Sequence, residues 1–273
     1  MIVEKAYAKL NLALDVVRKR QDGYHDLKMI MVPIELHDVL TFEDHDELIL
    51  ESNIEIDDNA IIKAAHLMKS TYHVEKGAKI TLDKHIPIGA GLGGGSADIA
   101  ATLRGLNQLW DLNLEIDQLE KLALSLGSDT LFCLHNKPAY VYGRGDHILF
   151  VQAPSITHFY LINPDIHVST KAVFEHHEVK HDDKKFNRLF TLYINELYPS
   201  FFKKSYNVLT ETTINVYPEL KRVIKTISKI SSLARMTGSG STCYIPIFKQ
   251  NERKIARKIE KLPFLVVKTS VKH

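Results

Sequence analysis

The stretch Pro87-Ile88-Gly89-Ala90-Gly91-Leu92-Gly93-Gly94-Gly95-Ser96-Ala97 decides how the rest of the chain is read. From Gly89 to Gly95, five of seven residues are glycine, more than an ordinary turn needs. Without Cβ atoms, such a backbone brings its N–H groups close to an anion and reaches positive φ. Beyond it, Ala97, Ala100, Ala101, Leu103 and Leu106 recur at helical spacing, so the glycines open into a helix rich in small residues. A helix start adds unpaired N–H donors and the positive end of a dipole. Together these features predict a phosphate site.

Three phosphate-binding designs compete for this loop. Walker A requires Gly-Lys-Ser/Thr, and no such tripeptide occurs. A dinucleotide fingerprint matches literally at Gly89, Gly91 and Gly94. Its context is wrong, because Asp83-Lys84-His85-Ile86-Pro87 separates the glycines from the strand expected at Lys79–Leu82. The acidic residue at the right distance, Asp111, also follows a helix instead of a second strand. The third design, a proline followed by Gly-Leu-Gly, small residues and a helix, fits.

Working outward, Ala8 to Val16 alternates, with Ala8, Leu10, Leu12, Leu14 and Val16 on one side and Lys9, Asn11, Ala13 and Asp15 on the other. That pattern predicts a strand with one buried face, and it makes Lys9 and Asn11 project together. Asp57-Asp58-Asn59 offers caps for a helix carrying Ile61, Ala65 and Met68. Asp117 and Glu120 read as a capping pair for a helix ending at Gly127. Gly143-Arg144-Gly145-Asp146 joins two strands of a hairpin. Past Ala153-Pro154 the order is strand, helices, strand Arg235–Thr237, turn Gly238-Ser239-Gly240, strand, helix and strand, a split βαβ arrangement with inserted helices. Two α+β domains follow, residues 1–155 and 156–273.

The chain has 273 residues, 45% apolar and 25% charged, the balance of a globular protein. Its net charge, 35 − 33 = +2, gives no field that would draw it to nucleic acid or to acidic membranes. No apolar run reaches a membrane span, and the start lacks the order of a signal peptide. Cys133 and Cys243 read as free thiols, so a cytoplasmic location is expected. His176, His177 and His181 include a pair at i, i+4, but without further ligands close by they are not assigned to a metal. The basic run Arg253 to Lys258 reads as the wet face of a helix.

With the loop Pro87–Ala97, the motifs Ala8-Lys9-Leu10-Asn11-Leu12, Asp22-Gly23-Tyr24-His25, Gly127-Ser128-Asp129-Thr130-Leu131-Phe132 and Thr237-Gly238-Ser239-Gly240 resemble the GHMP kinases over nearly the whole chain. The resemblance implies a two-domain α+β fold, the N-terminal domain with a left-handed βαβ crossover and the C-terminal domain ferredoxin-like. It implies ATP and Mg²⁺ as cofactors. The substrate it implies is a small, cytidyl-containing alcohol of isoprenoid-precursor synthesis. A kinase for another small alcohol and an ATP-binding relative with little catalysis stay open as alternatives. The oligomeric state also stays open, a homodimer included.

By the same resemblance, Lys9 and Asp129 are the catalytic pair, Asp129 accepting the substrate proton while an ammonium keeps it ionised. Pro87, Ile88, Gly89, Ala90, Gly91, Leu92, Gly93, Gly94, Gly95, Ser96 and Ala97 hold the nucleotide. Tyr24, His25 and Phe174 take the cytosine, since aromatic faces stack on bases and an imidazole reads their edges. Asn11, Thr170, Gly238, Ser239 and Gly240 complete the substrate side. Read locally, Asp129 is equally a cap for the helix that starts after it. Two departures stand out: Thr130-Leu131 where the family has Val-Pro, and Asn207-Val208-Leu209-Thr210 where it has Asn-Asp-Leu-Glu.

Overall fold

The computed structural model describes residues 1–56, 59–156 and 158–272. In chain order its elements are β1 (Ile2–Lys19), β2 (His25–Glu43), β3 (Leu48–Ser52), α1 (Ala60–Tyr72), β4 (Ala78–Asp83), α2 (Gly94–Leu109), α3 (Ile116–Leu126), α4 (Thr130–His135), β5 (Ala139–Gly143) and β6 (His147–Phe150). There follow β7 (His158–Asn163), α5 (Thr170–Glu175), α6 (Asp183–Ile194), α7 (Tyr198–Lys204), α8 (Leu209–Val216), α9 (Glu219–Ile230), β8 (Arg235–Met236), β9 (Cys243–Ile247), α10 (Glu252–Ile259) and β10 (Leu265–Thr269). Two compact units form, each assembled from several segments. The first holds Met1–Ala8, Leu36–Pro87 and Gly93–Asn136; the second holds Lys9–Glu35, Ile88–Leu92 and the chain from Lys137 onward.

In the first unit β4 pairs antiparallel with the end of β2 and parallel with β3, and α1 connects β3 to β4 in a βαβ unit. Asn59 caps α1, its Oδ1 accepting from Ile61 N at 2.9 Å; Asp57 and Asp58, the other expected caps, lie outside the described residues. Small residues let α2 press close to the sheet: a Cβ on Gly105 would stand 2.3 Å from the Phe42 ring. Leu40, Phe42, Met68, Ile80, Leu103 and Leu106 are fully buried in this unit, the area removal that stabilises it. The cap of α3 differs from expectation. Glu115 and Gln118 make the capping box, because each reaches the other's backbone N–H. Asp117 and Glu120 turn outward, to Lys121 at 3.6 Å and His135 at 2.7 Å.

In the second unit the start of β2 pairs with β5, which pairs with β6, both antiparallel. A separate antiparallel sheet has the order β10-β7-β9-β8. Phe159 and Tyr244 meet edge to face, with ring centroids 5.5 Å apart, at the centre of its apolar face. Strand β1 corrects the alternation reading, since Lys9, Asn11, Ala13 and Asp15 are as buried as the apolar residues between them. A strand covered on both faces must then satisfy its polar side chains internally. Asp15 does so by accepting from Tyr206 OH at 2.7 Å and pairing with His181 Nδ1 at 3.1 Å. Among the described residues no helix is long and apolar enough to cross a membrane.

Candidate active site

The second unit gathers the start of the glycine loop, the turn at Gly238 and the Lys9 side chain. A Cβ on Gly91, at φ +75°, would stand 2.3 Å from Thr237 O and 2.9 Å from Gly240 O. One on Gly238, at φ +56°, would stand 2.8 Å from Gly91 O and 3.2 Å from Lys9 Nζ. Two backbones therefore touch above the ammonium, and neither position admits a side chain. The contact is fastened around its edge: Thr242 N donates to Ala90 O at 3.2 Å, Lys9 N to Leu92 O at 2.9 Å, and Asn11 N to Thr237 Oγ1 at 3.0 Å. Lys9 Nζ donates to Asn11 Oδ1 at 2.6 Å, so the side chains that alternation put on one side do meet. Further along, Gly89 O accepts from Val168 N at 3.1 Å, while Ile88 is 49% exposed.

Asn207 is the residue kept at the head of one of the departures. Its Nδ2 donates to Gly238 O at 2.7 Å and Met236 O at 2.9 Å, and its Oδ1 accepts from Leu209 N at 3.0 Å. It thus ties down the first residue of α8, whose N-cap is Val208, and clamps the turn at once. Val208 and Thr210, where the family carries acids, lie at that same helix start. Acids there favour the helix dipole, so their loss bears on the start of α8.

The aromatic residues also lie in the second unit. His25 and Phe174 rings are 5.2 Å apart, and Tyr24 is 51% exposed. His25 is buried with its Nε2 unpartnered. Burial, helped by the Lys19 charge, lowers its pKa, so a neutral ring is favoured and can offer a donor or an acceptor. Thr170 and Ser239 hydroxyls are 2.8 Å apart. The expected i, i+4 histidines part company: His177 Nδ1 meets Thr212 Oγ1 at 2.8 Å, whereas His181 meets Asp15.

The first unit carries the other end of the loop. Gly93 opens α2, Ala97 N donates to Gly93 O at 2.9 Å, and the N–H groups of Gly94, Gly95 and Ser96 precede that first bond. Such a start receives anions. A Cβ on Gly127 would meet Thr130 Oγ1 at 2.8 Å and Ser96 Oγ at 3.8 Å, so the third motif lies against the first turn of α2. Thr130 is fully buried with its hydroxyl unpartnered. Asp129 precedes α4, yet its side chain makes no capping hydrogen bond. Asp129 thus stands at the N-cap position of α4, as the local reading expects, and its backbone carbonyl accepts from Cys133 N at 3.0 Å.

Beneath this turn is a cluster the sequence did not announce. Lys84 Nζ lies 2.5 Å from Asp38 Oδ2 and 2.6 Å from Asp98 Oδ2, all three side chains being nearly or wholly buried. Asp38 Oδ1 also accepts from His85 N and Ile86 N, at 2.5 and 2.7 Å. Lys84 Nζ is 3.0 Å from where a Cβ on Gly94 would stand, so the cation lies directly under the loop. Burial foremost, then Asp38, pushes the Asp98 carboxyl up against the opposing pull of Lys84. The available signals were Lys84 within the five-residue spacer and Asp98 inside the small-residue run Ala97–Ala101. No cluster of three or more His, Cys, Asp or Glu side chains suited to a metal occurs among the described residues.

Known proteins are similar to this chain over most of its length. The model for the GHMP kinases N terminal domain matches residues 59–137, and that for the GHMP kinases C terminal matches residues 184–264. A 4-diphosphocytidyl-2-C-methyl-D-erythritol kinase of Clostridioides difficile (strain 630) is 35% identical, covering 94% of this chain and 90% of that protein. One from Bacillus mycoides (strain KBAB4) is 40% identical, covering 89% and 87%. A crystal structure of 4-(cytidine 5'-diphospho)-2C-methyl-D-erythritol kinase superposes with a TM-score of 0.79 at 26% identity, covering 99% of this chain and all of that one. The Methanococcus jannaschii mevalonate kinase shares the fold, with a TM-score of 0.73 at 14% identity over 100% and 98%.

Proposed function

The chain belongs to the GHMP kinase family, and from that premise we propose that it transfers the γ-phosphoryl group of ATP to a hydroxyl of 4-diphosphocytidyl-2-C-methyl-D-erythritol, a step of isoprenoid-precursor synthesis. One observation carries the reading: the two glycine turns close on Lys9 Nζ, in a unit that also holds Tyr24, His25 and Phe174 and in a chain matched throughout by kinases of this substrate.

The substrate oxygen attacks the γ-phosphorus, the bond from that phosphorus to the β-bridging oxygen breaks, and ADP leaves. We assign the hydroxyl proton to the Asp129 carboxylate. Lys9, oriented by Asn11, offsets charge on the reacting oxygens. A loose transition state asks for positioning and charge neutralisation more than for a strong base, which suits a carboxylate. The backbone of Pro87–Ala97 holds the nucleotide phosphates, the amides at the start of α2 supplying donors. Tyr24, His25 and Phe174 take the cytosine, and Thr170 with Gly238, Ser239 and Gly240 lines the rest. Mg²⁺ usually binds through one or two protein oxygens plus phosphates. The absence of an acidic cage among the described residues fits that pattern, and the Ser96 hydroxyl is the group we assign to it. When bound, the ion neutralises the β- and γ-oxygens.

We place the family's domain boundary near residue 155, which the two matched segments flank. Both cysteines are buried thiols and not disulfides, which supports a cytoplasmic location. The test is an ADP-release assay with MgATP and 4-diphosphocytidyl-2-C-methyl-D-erythritol, run beside the cytidine-free alcohol, mevalonate and homoserine. Turnover with the cytidyl substrate alone is expected. Silence with it, from folded protein that binds ATP, would overturn the assignment.

A further inference from the structure

The hairpin between β5 and β6 carries a side chain that none of these roles uses. The guanidinium of Arg144 lies over the Tyr24 ring, 4.9 Å from its centroid. Each partner is fixed by its own turn. Arg144 N donates to Asp146 Oδ1 at 2.8 Å, and Gly145 N donates to Tyr142 O at 3.3 Å, closing the hairpin. Across from it, Tyr24 N donates to Asp22 Oδ1 at 3.1 Å and Tyr24 O accepts from Arg20 N at 2.8 Å. The acids of that turn are paired with other arginines, Asp22 with Arg20 and Asp26 with Arg18 and Arg20, while the Arg144 charge reaches Asp22 only at longer range. Arg144 is half-buried, while Tyr24 keeps half its surface exposed.

We infer that Arg144 is a positioning residue for the cytidyl substrate: it covers one face of the Tyr24 ring and holds the opposite face ready to stack on the pyrimidine. The inference rests on the function proposed above. A phenol side chain on a turn samples several rotamers, and ordering it on binding weakens the complex. A guanidinium laid on the ring removes that freedom beforehand, and such contacts at partly exposed sites are worth about two- to fivefold in an equilibrium constant.

The experiment measures cytidine 5'-diphosphate binding by calorimetry and steady-state kinetics in the full chain, for Arg144→Ala, Arg144→Lys, Tyr24→Leu and the double variant. Arg144→Ala is expected to weaken cytidine diphosphate and raise KM for the cytidyl substrate about two- to fivefold, with KM for ATP unmoved and kcat changing less than KM. Arg144→Lys should recover part of the loss. In the Tyr24→Leu background the Arg144→Ala effect should vanish, which a purely structural role would not produce. An equal effect in both backgrounds means that Arg144 acts on the ligand directly and overturns the inference. So does unchanged or tighter binding by Arg144→Ala in a protein that turns over normally, and this leaves the proposed function standing. Failure of the unaltered protein both to bind cytidine diphosphate and to turn over the substrate would overturn the two together.

Discussion

The two ends of one glycine loop are held by different physics. At Gly91, in the second unit, backbone lies on backbone, pinned by amide and hydroxyl hydrogen bonds and by the Asn207 amide. At Gly94, in the first unit, the loop rests on a buried cation shared by two carboxylates. Hydrogen bonds between neutral groups fix geometry at modest net energy and ignore pH. A buried charge cluster is costly to desolvate and severely destabilising when one member is lost. The contrast suggests that the second unit sets shape around Lys9, while the first unit tunes the end of the loop that shares its unit with Asp129.

The harshest test of this division removes the chemistry without touching either support. Asp129→Asn should lower kcat by about 10²–10⁴-fold, the usual worth of a positioned acid or base, while ATP affinity changes little. Because asparagine keeps the size and shape of the aspartate side chain, thermal unfolding of the variant should stay close to that of the unaltered protein. Near-normal turnover would remove Asp129 from the reaction.

Next in size is the cluster itself. Lys84→Met leaves Asp38 and Asp98 facing each other in a buried site, and about 3–5 kcal/mol of stability should be lost in urea unfolding. Adding Asp98→Asn to that variant should restore part of the loss. If Lys84→Met unfolds like the unaltered protein, the cation is not what the loop rests on.

The cluster also predicts a pH dependence that the second unit's fastenings should lack. Asp98 is pushed up to about 7 by burial and then by Asp38, against an ordinary value near 4. Between those values the folded chain binds the proton more tightly than the unfolded chain does. The stabilisation is therefore complete below pH 4 and is lost as pH rises through about 7. Asp98→Asn should flatten that portion of the stability curve in urea titrations from pH 4 to 8. An unchanged slope would show that the carboxyl does not titrate there.

What could be read from the sequence follows the same division. Glycine density, the helix behind it and the pairing of Lys9 with Asn11 are local patterns, and local patterns survive into the structure. Burial of both faces of β1 was illegible, because alternation reports one neighbour and cannot show that a second layer covers Lys9 and Asp15. The α3 cap slipped by two residues because Glu115 and Gln118 are as plausible as Asp117 and Glu120 until side-chain direction is known. The Lys84 cluster joins residues 38, 84 and 98, a separation no spacing rule reaches. Asn207 stands unchanged within an altered motif, but its hold on Gly238 spans 31 residues and needs the fold.

Asn207 also sharpens the comparison at its finest scale. Its carbonyl accepts from Thr210 N at 3.2 Å and its Oδ1 from Leu209 N, one residue ahead of Val208, the N-cap of α8, so Thr210 lies in the first turn of that helix. A glutamate there places a negative charge at the positive end of the α8 dipole, beside Glu211 in the same turn. Thr210→Glu should therefore stabilise the chain by about 0.5 kcal/mol, through the helix dipole. It should leave kcat with the cytidyl substrate within about twofold, because the gain lies in the helix that follows Asn207. A rise in kcat without a gain in stability would instead give the family's second acid a part in the reaction, and would move the lost motif from the fold to the chemistry.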